Sequence, residues 1–335
     1  MARLRSQSTD IHKCATGVLA VFDRQEPVAV NGRRTWYFDD PGLQYRGDAQ
    51  ANAYLALNHS EEYAGGMHDA ETACIRGNLD TILAHMGPKV SVIDLGCGEG
   101  RKSRDIANAA QEGGRSVILY AVDINERFLE IALRNGTESG VRTVTVLEDL
   151  TDLEAVLRMV DGDGDRFFNV GANFSLFGPE ILRKVHGVMS GSDAIYVSVQ
   201  LNLRDIGEIV RQYSNPTNRD FAFGALAGLG IELDDVVFSP RFNPVESSVE
   251  AVFTILNVPK PLSERGVRAG DDIVVGASFK PSLEVFASAV EKYFSGDFFV
   301  DQSTGFAGFV GRKRFNIGDK EVLRNAEAGS FKKHP

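Results

Sequence analysis

Cysteine is scarce in this chain of 335 residues, which holds only Cys14, Cys74 and Cys97. The three cysteines lie far apart, are odd in number and match no metal-ligand spacing. They therefore predict free thiols in a reducing, cytoplasmic setting, with no bound metal.

Long apolar runs and positive charge are also lacking. No apolar run approaches the roughly 20 residues that cross a bilayer, and the arginines near the N-terminus precede no apolar signal segment. We expect neither a signal peptide nor a membrane span. Lys and Arg number 36 against 46 Asp and Glu, which gives a formal net charge of −10. Because nucleic acids and anionic membranes attract basic surfaces, neither is an expected partner.

Between residues 88 and 201, apolar segments alternate with helical ones. The first segment, KVSVIDLG, is almost continuously apolar, which is typical of a buried parallel strand. The alternation repeats through SVILYAVDIN, RTVTVLEDL, RFFNVGANFSLFG and SDAIYVSVQLN. Five strands with helical crossovers predict a doubly wound, Rossmann-like α/β sheet with right-handed connections.

The flanking regions follow other patterns. Residues 33–66 are aromatic and acidic and are punctuated by Pro41, Gly42, Gly65 and Gly66, which predicts short helices and loops rather than a sheet. After residue 201, helices mix with the alternating strands VEAVFTILNVP, DDIVVGASFK and GFAGFVGRKRF. This α+β portion is expected either to add antiparallel strands to the first sheet or to form a lobe on the substrate side. We predict four regions: an N-terminal helical and loop segment contributing to the substrate site (1–68), a cofactor-binding Rossmann-like domain (69–201), an α+β substrate-side portion (202–313) and a tail (314–335).

A glycine turn follows the first strand of the sheet. Its spacing is Gly96-x-Gly98-x-Gly100, and Arg101 holds the position that a dinucleotide fingerprint fills with its third glycine. Asp94 just ahead of the turn is unhelpful for a pyrophosphate. It suits a cofactor that carries an amino group and a sulfonium charge instead.

The next two strands also end in polar residues. Asp123 ends the second strand, where a carboxylate is expected to bond the hydroxyls of a ribose. Asp149 and Leu150 follow the third strand and offer an acceptor and an apolar wall to an adenine ring. Because the carboxyl ends of parallel strands meet at one edge, these groups point to a single crevice.

The order strand, D-x-G-x-G-x-G, helix, strand, Asp closely resembles that of class I S-adenosylmethionine-dependent methyltransferases over residues 88–200. The resemblance implies that S-adenosylmethionine is the cofactor. Lys102, at the start of the helix, is expected to meet either solvent or the carboxylate of the cofactor. The predicted cofactor-binding residues are Asp94, Gly96, Gly98, Gly100, Lys102, Asp123, Asp149 and Leu150.

A narrower similarity extends over residues 34–313. WYFDDPG, EEYAGGMHDAET and LGCGEGRKSR, followed in order by RDIGEIVRQY and VVGASFK, resemble the histidine Nα-methyltransferase family of ergothioneine biosynthesis. The resemblance implies three substrate tyrosines. In the first motif, Tyr37 or Phe38 corresponds to the first of these tyrosines. The second and third tyrosines correspond to Tyr63 and Tyr213, the pair expected to act in catalysis.

Other positions of the substrate site depart from that family. The asparagine of the family aligns with Leu176, and Asn173 lies three residues earlier. Ser278 matches the substrate serine, but Gly276 stands where the family has an acidic residue. Histidine itself is therefore not the expected substrate. The predicted substrate-binding residues are Tyr37, Phe38, Asn173, Phe174 and Ser278, with the three aromatic rings forming a box for a cationic amine.

These patterns predict a methyltransferase that transfers a methyl group from S-adenosylmethionine to the nitrogen of a small amino-acid-derived amine. Two alternatives use the same cofactor: an O-methyltransferase of a specialised metabolite and an aminocarboxypropyl transferase. The expected partner is a small molecule, and the sequence carries no signal for an oligomeric state.

Overall fold

A computed structural model describes residues 16–38, 40–161, 164–203 and 205–314 of the chain. The predicted tail lies outside these residues except for Arg314, as do the first 15 residues of the predicted N-terminal segment. The strands are β1 (Val28–Val30), β2 (Arg33–Tyr37), β3 (Lys89–Leu95), β4 (Ser116–Asp123), β5 (Thr143–Leu147), β6 (Asp165–Gly171), β7 (Ala194–Gln200), β8 (Val236–Phe238), β9 (Arg241–Asn243), β10 (Ser248–Ile255), β11 (Asp272–Phe279), β12 (Phe294–Asp301) and β13 (Phe306–Lys313).

Helices connect and cover these strands, and residues 16–24 are helical as well. The labelled helices are α1 (Asp48–Asn58), α2 (Glu61–Tyr63), α3 (Asp69–Gly77), α4 (Leu79–Ala84), α5 (Arg101–Glu112), α6 (Glu126–Glu138), α7 (Leu153–Arg158), α8 (Phe174–Phe177), α9 (Pro179–Val188), α10 (Ile206–Tyr213), α11 (Pro216–Phe223), α12 (Lys260–Ser263) and α13 (Leu283–Glu291). Short 3-10 turns span Pro41–Gln44, Ala227–Leu229 and Leu233–Asp235, and a π-helical turn spans Ala64–His68.

The larger sheet has seven strands in the order β12-β13-β7-β6-β3-β4-β5. Its β3 to β7 pair in parallel, which confirms the predicted doubly wound α/β sheet. The chain runs outward from β3 through β4 to β5 and then returns to β6 on the other side of β3. In open α/β sheets, ligands bind in the crevice that forms at the carboxyl ends of the strands where the strand order reverses in this way.

The last two strands complete this sheet. β13 pairs antiparallel with β7, as one of the two sequence alternatives expects. β12 is a difference from the prediction, because the sequence pattern indicates no strand between DDIVVGASFK and GFAGFVGRKRF. β12 is the edge strand, and its residues 295–297 are exposed. It therefore lacks the regular apolar alternation by which a strand is recognised.

The second sheet has the order β1-β2-β11-β10-β8, and β9 pairs with β10. The expectation of helices and loops without a sheet at residues 33–66 is wrong at its start, because Arg33–Tyr37 forms β2. This strand pairs in parallel with β11, with Trp36 opposite Ile273, and the indole of Trp36 donates to Asp271 at 3.0 Å. A partner more than 230 residues away leaves no local signal in a five-residue segment.

Apolar side chains cover both faces of the larger sheet. Ile93, Phe168 and Val197 belong to the core on one face, and Val92 and Phe167 to the core on the other. All of these side chains are buried. Truncating a buried phenylalanine such as Phe168 to alanine typically costs about 3–5 kcal/mol. This packing fixes the carboxyl ends of β3, β4 and β6, from which the site is built.

Candidate active site

The glycine turn between β3 and α5 adopts a left-handed backbone. The φ angles of Gly96, Gly98 and Gly100 are 72°, 52° and 68°. A Cβ on Gly96 would lie 2.8 Å from Nδ2 of Asn173 and 2.9 Å from Cδ2 of Leu150. Glycine at position 96 is therefore required both by the backbone angle and by the close approach of its neighbours.

Asp123 ties the end of β4 to this turn. Its two carboxylate oxygens accept hydrogen bonds from the backbone N–H of Gly98 at 3.0 Å and of Asn125 at 3.1 Å. Burial raises the pKa of Asp123 to about 6, although these hydrogen bonds act in the opposite direction. The amide of Asn125 in turn donates to the backbone oxygens of Tyr45 at 2.6 Å and Gly47 at 3.0 Å. The N-terminal segment is thus anchored beside the turn.

Asp94 lies buried at the end of β3. Its carboxylate accepts a hydrogen bond from Nδ2 of Asn169 at 2.8 Å, and burial raises its pKa to about 6. The same Nδ2 lies 2.6 Å from the hydroxyl oxygen of Ser103, in the first turn of α5. Asp94 therefore connects β3, β6 and α5 beneath the glycine turn.

A cavity of about 350 Å³, the cleft, lies at the carboxyl ends of β3, β4 and β5. Of the predicted cofactor residues, Gly96, Gly98, Asp123, Asp149 and Leu150 line the cleft. Several further lining residues are not among those predicted from the sequence, although the WYFDDPG motif contains the first three of them. The missed residues are Asp40, Pro41, Gly42, Tyr45, Tyr54, Ile124, Phe128, Thr151 and Phe177.

The remaining predicted cofactor residues do not line the cleft. Asp94 lies beneath the turn, and a Cβ on Gly100 would lie 3.0 Å from the Cβ of Ala132, so this glycine serves the packing of α6. The predicted contact of Lys102 with solvent or with a cofactor carboxylate needs correction. Its ammonium lies 2.5 Å from a carboxylate oxygen of Glu71.

The pair of Glu71 and Lys102 braces the loop after β6. The second oxygen of Glu71 accepts from the backbone N–H of Ala172 at 2.9 Å and from the hydroxyl of Ser198 at 2.5 Å. Burial alone would raise the pKa of Glu71, but the charge and hydrogen bond of Lys102 outweigh it and hold that pKa below its usual value. The carboxylate therefore stays ionised and keeps the loop in place.

A smaller cavity of about 60 Å³, which we name the aromatic chamber, adjoins the cleft. Tyr45, Tyr54 and Leu176 line both cavities. Among the described residues that line the aromatic chamber there is no Asp, Glu, Lys, Arg or His. These described lining residues are Gln44, Tyr45, Tyr54, Leu57, Tyr63, Leu176, Tyr213, Asn218, Phe221, Ala222, Val249, Ala251, Gly276, Ala277 and Ser278.

The structure brings Tyr63, Tyr213 and Ser278 together in the aromatic chamber. The hydroxyl of Tyr213 donates to that of Ser278 at 3.2 Å, and the rings of Tyr63 and Tyr213 meet edge to face with centroids 6.2 Å apart. Burial raises the pKa of Tyr63 well above its usual value. Tyr63 is therefore a hydrogen-bond donor at neutral pH rather than a base.

Three of the predicted substrate residues lie elsewhere. The hydroxyl of Tyr37 donates to Glu250 at 3.1 Å, and Phe38 packs edge to face on Phe22 at 5.9 Å. Phe174 is fully buried against Phe286 in the core, because the first residue of α8 points under the sheet end rather than into the cavity. The rings that line the chamber are those of Tyr45, Tyr54, Tyr63, Tyr213 and Phe221.

Asn173 lines the cleft but not the chamber. Its amide donates to the backbone oxygens of Leu95 at 2.8 Å and Gly96 at 3.1 Å. Asn173 thus holds the glycine turn, while Leu176, one helical turn further along, faces both cavities.

Residues 92–190 match the family model described as a methyltransferase domain. The chain contains a class I S-adenosylmethionine-dependent methyltransferase domain. This match begins in β3 and ends just after α9, so it covers the glycine turn, Asp123 and the wall of the cleft at Asp149 and Leu150. The wider resemblance drawn from the sequence is confirmed for this domain, and the narrower one to histidine Nα-methyltransferases stays a prediction.

The chain is also similar to individual proteins. It is 23% identical over 235 residues to the N-methyltransferase fsqC of Aspergillus fumigatus, across 65% of this chain and 63% of that protein. The match therefore spans less than two thirds of the length of this curated relative. The solved structure of the PH0226 protein from Pyrococcus horikoshii is 16% identical with a TM-score of 0.43, covering 76% of this chain and 93% of that one. The solved structure of an S-adenosylmethionine-dependent methyltransferase from Clostridium acetobutylicum is 9% identical with a TM-score of 0.45. The match covers 79% of this chain and 99% of that one. At TM-scores below 0.5 these two likenesses carry no argument.

S-adenosylmethionine is the cofactor of such a domain, and the residues of the cleft fit it. Asp123 and Asp149 supply acceptors for hydroxyl and amino groups, and Leu150 and Phe128 supply apolar walls. Among the described residues that line the cleft, none has a cationic side chain that would oppose a sulfonium.

Two kinds of site are absent from the described parts of the chain. Within them, no helix combines the length and apolar character that crossing a membrane requires. Over the same residues, no group of three or more His, Cys, Asp or Glu side chains is arranged to hold a metal ion.

Proposed function

We propose that this protein is an S-adenosylmethionine-dependent methyltransferase that methylates the nitrogen of a small amino-acid-derived amine. One observation carries the proposal: an aromatic chamber, whose described lining residues are all uncharged, adjoins the cleft of a methyltransferase domain and shares three residues with it. Tyr45, Tyr54 and Leu176 line both cavities, so an amine in the chamber meets a cofactor in the cleft at these residues.

The chain's own residues would act mainly by positioning. When bound, the cofactor supplies a methyl group already activated on a sulfonium. Holding the nucleophile in line with such a group lowers the activation free energy by about 7 kcal/mol or more in the best cases. The chamber also removes water from the amine, which favours the neutral form with a free lone pair. The aromatic rings of Tyr45, Tyr54 and Phe221, which line the chamber, supply the kind of surface that stabilises the positive charge gained by the nitrogen.

The absence of a base among the chamber residues favours nitrogen over oxygen as the acceptor. A hydroxyl group is a weak nucleophile until a neighbouring group accepts its proton. In the part of the chain that the structure describes, no carboxylate, histidine or lysine lines the chamber, and burial keeps the phenol of Tyr63 protonated. A neutral amine needs no such acceptor before it attacks. The curated relative that carries the name N-methyltransferase supports the same choice.

Tyrosine and tyramine are suitable test compounds, because each carries an amine and a phenol. Purified protein is incubated with S-adenosylmethionine and either compound, and the products are analysed by mass spectrometry. The proposal predicts S-adenosylhomocysteine together with a methyl group on nitrogen. A methyl group on the phenol oxygen would favour the O-methyltransferase alternative. Methylthioadenosine as the by-product would indicate aminocarboxypropyl transfer instead.

A further inference from the structure

We infer that the aromatic chamber selects an amine that carries no carboxylate, so that the substrate is a decarboxylated amine rather than a free amino acid. This inference rests on the proposed function and narrows its substrate class. It is carried by the charges, the hydrogen bonds and the apolar contact that surround the place where the two cavities meet.

The charged residues that line the two cavities in the described part of the chain are all acidic. They are Asp40, Asp123 and Asp149, all of them in the cleft, and none of the described chamber residues is charged. A substrate carboxylate entering the chamber would lose its hydration without gaining a cationic partner. It would also face the three carboxylates of the cleft at low dielectric. An amine without a carboxylate avoids both costs.

The side-chain amides around the chamber each use one N–H within the protein. Gln44 donates to the backbone oxygen of Val275, and Nδ2 of Asn218 donates to that of Tyr213 at 2.7 Å. The hydroxyl of Tyr213 donates to Ser278. A carboxylate would have to be held by the second N–H of each amide and by the remaining hydroxyls, which are all uncharged donors.

Two lysines lie near the site, and neither lines a cavity. Lys102 is paired with Glu71. Lys280 is fully buried, with its ammonium 3.9 Å from the sulfur of Met67 and 5.4 Å from the ring centroid of Tyr213. The ammonium of Lys280 therefore lies beside a ring and a thioether. The variant Lys280→Met tests whether this ammonium binds the carboxylate of a substrate.

Leu176 determines the character of the junction. It lines both the cleft and the chamber, and the half-buried side chain offers an apolar surface. The nearest amide on the same stretch, that of Asn173, is held by backbone oxygens of the glycine turn. The junction therefore presents no donor from this loop to the polar end of an amino acid.

The experiment compares each amino acid with its decarboxylated partner: phenylalanine with phenethylamine, histidine with histamine, and tryptophan with tryptamine. Formation of S-adenosylhomocysteine gives kcat/KM for each compound. We expect the amine to exceed its amino-acid partner at least 100-fold in any pair that reacts. An amino acid that equals or exceeds its amine overturns the inference.

Calorimetric titration with S-adenosylhomocysteine separates this failure from a failure of the proposed function. Protein that binds S-adenosylhomocysteine but turns over no member of any pair contradicts the substrate class and leaves the cofactor assignment standing. Protein that does not bind S-adenosylhomocysteine contradicts the proposed function itself.

A charge-insertion variant sharpens the test. Leu176→Lys places a cation at the junction and is expected to lower the preference for the amine at least tenfold. The matched control is Leu133→Lys, which adds the same charge at a leucine of α6 that is 42% exposed, and it should leave the preference unchanged. Binding of S-adenosylhomocysteine by each variant verifies that the cleft is intact.

Lys280→Met provides an independent check that does not depend on the first variant. Because Lys280 lines neither cavity, its removal is expected to leave the ratio of amine to amino-acid turnover within twofold. A selective loss of amino-acid turnover would show that Lys280 holds a carboxylate, and the inference would then be wrong.

Discussion

The cleft and the aromatic chamber are neighbours that share Tyr45, Tyr54 and Leu176, yet they are built on opposite principles. The cleft is lined by carboxylates and a left-handed backbone turn, and hydrogen bonds fix its central acceptor, Asp123. The chamber is lined by rings and neutral amides. The cleft therefore recognises its ligand through directed hydrogen bonds, whereas the chamber acts through removal of water and through shape.

The two cavities also differ in how the chain assembles them. One wall of the cleft comes from the continuous stretch between β3 and α7, whereas the chamber combines the N-terminal segment with α10, α11, β10 and β11. Substitutions in the cleft should change cofactor affinity, and substitutions in the chamber should change the choice of amine. The following predictions test this division, beginning with the largest expected effect.

Replacement of Asp123 by alanine should have the greatest consequence for the cofactor. A hydrogen bond to a charged group is worth about 1.5–3 kcal/mol, so loss of two ribose contacts weakens S-adenosylhomocysteine binding by roughly 100-fold or more. Isothermal titration calorimetry measures this change. The control is Asp297→Ala, which removes a carboxylate that is 62% exposed on β12 and should leave affinity unchanged. If Asp123→Ala bound S-adenosylhomocysteine as tightly as the unaltered protein, the assignment of the cleft as the cofactor site would be wrong.

Gly96→Ala should weaken cofactor binding by roughly tenfold, because the added methyl group must displace Asn173 and Leu150 from the wall of the cleft. A left-handed alanine also costs about 1–2 kcal/mol of the free energy of unfolding. Gly114→Ala is the matched control, since its φ is +81° and nothing lies within 4 Å of the added Cβ. Urea denaturation should show backbone strain in both variants, and calorimetry an affinity loss only at position 96. Equal affinity losses would contradict the role of the close approach.

Cofactor affinity should fall as the pH falls through about 6. Burial raises the pKa of Asp123 to about 6, and only the ionised carboxylate accepts from two hydroxyl groups. Since one proton competes with the ligand, the Kd at pH 5 should be roughly tenfold above that at pH 7. Titrations between pH 5 and pH 8 measure the profile, and most of the slope should disappear in Asp123→Ala. A flat profile in the unaltered protein would exclude the carboxylate as the acceptor.

Gln44→Ala should have the smallest effect on the cofactor and a selective effect on the amine. The Gln44 amide fills the space beside Gly276, where an added Cβ would overlap it. Its removal enlarges the chamber and should lower KM for the bulkier amine of a pair, such as tryptamine against histamine, by about threefold to tenfold. S-adenosylhomocysteine affinity should stay within twofold. Gln111→Ala, at an exposed position of α5, is the control. A parallel change in cofactor affinity would mean that the two cavities are not separable.

The parts of the molecule that the sequence predicts well are those with local signals. Strands β3 to β7 carry apolar runs of the right length, and the spacing of Gly96 and Gly98 before Asp123 predicts their meeting at one edge. Such features depend on contacts between adjacent βα units. They need no information from distant segments.

The parts that the sequence predicts poorly depend on distant contacts. β2 exists through its pairing with β11, and the chamber rings of Tyr45 and Tyr54 come from a segment whose position is set by Asn125. Phe174 follows a strand end, as a binding residue does, but the start of α8 turns it into the core. The ion pair of Lys102 with Glu71 likewise could not be predicted from the spacing of residues in the sequence.

The most direct test of the account is a calorimetric titration of the protein with S-adenosylhomocysteine, alone and then in the presence of saturating phenethylamine or phenylalanine. We predict one site per chain, with an affinity that falls roughly 100-fold or more in Asp123→Ala, and binding that phenethylamine strengthens but phenylalanine does not. No binding of S-adenosylhomocysteine, or equal binding by Asp123→Ala, would contradict the central claim that the cleft holds this cofactor beside an amine chamber.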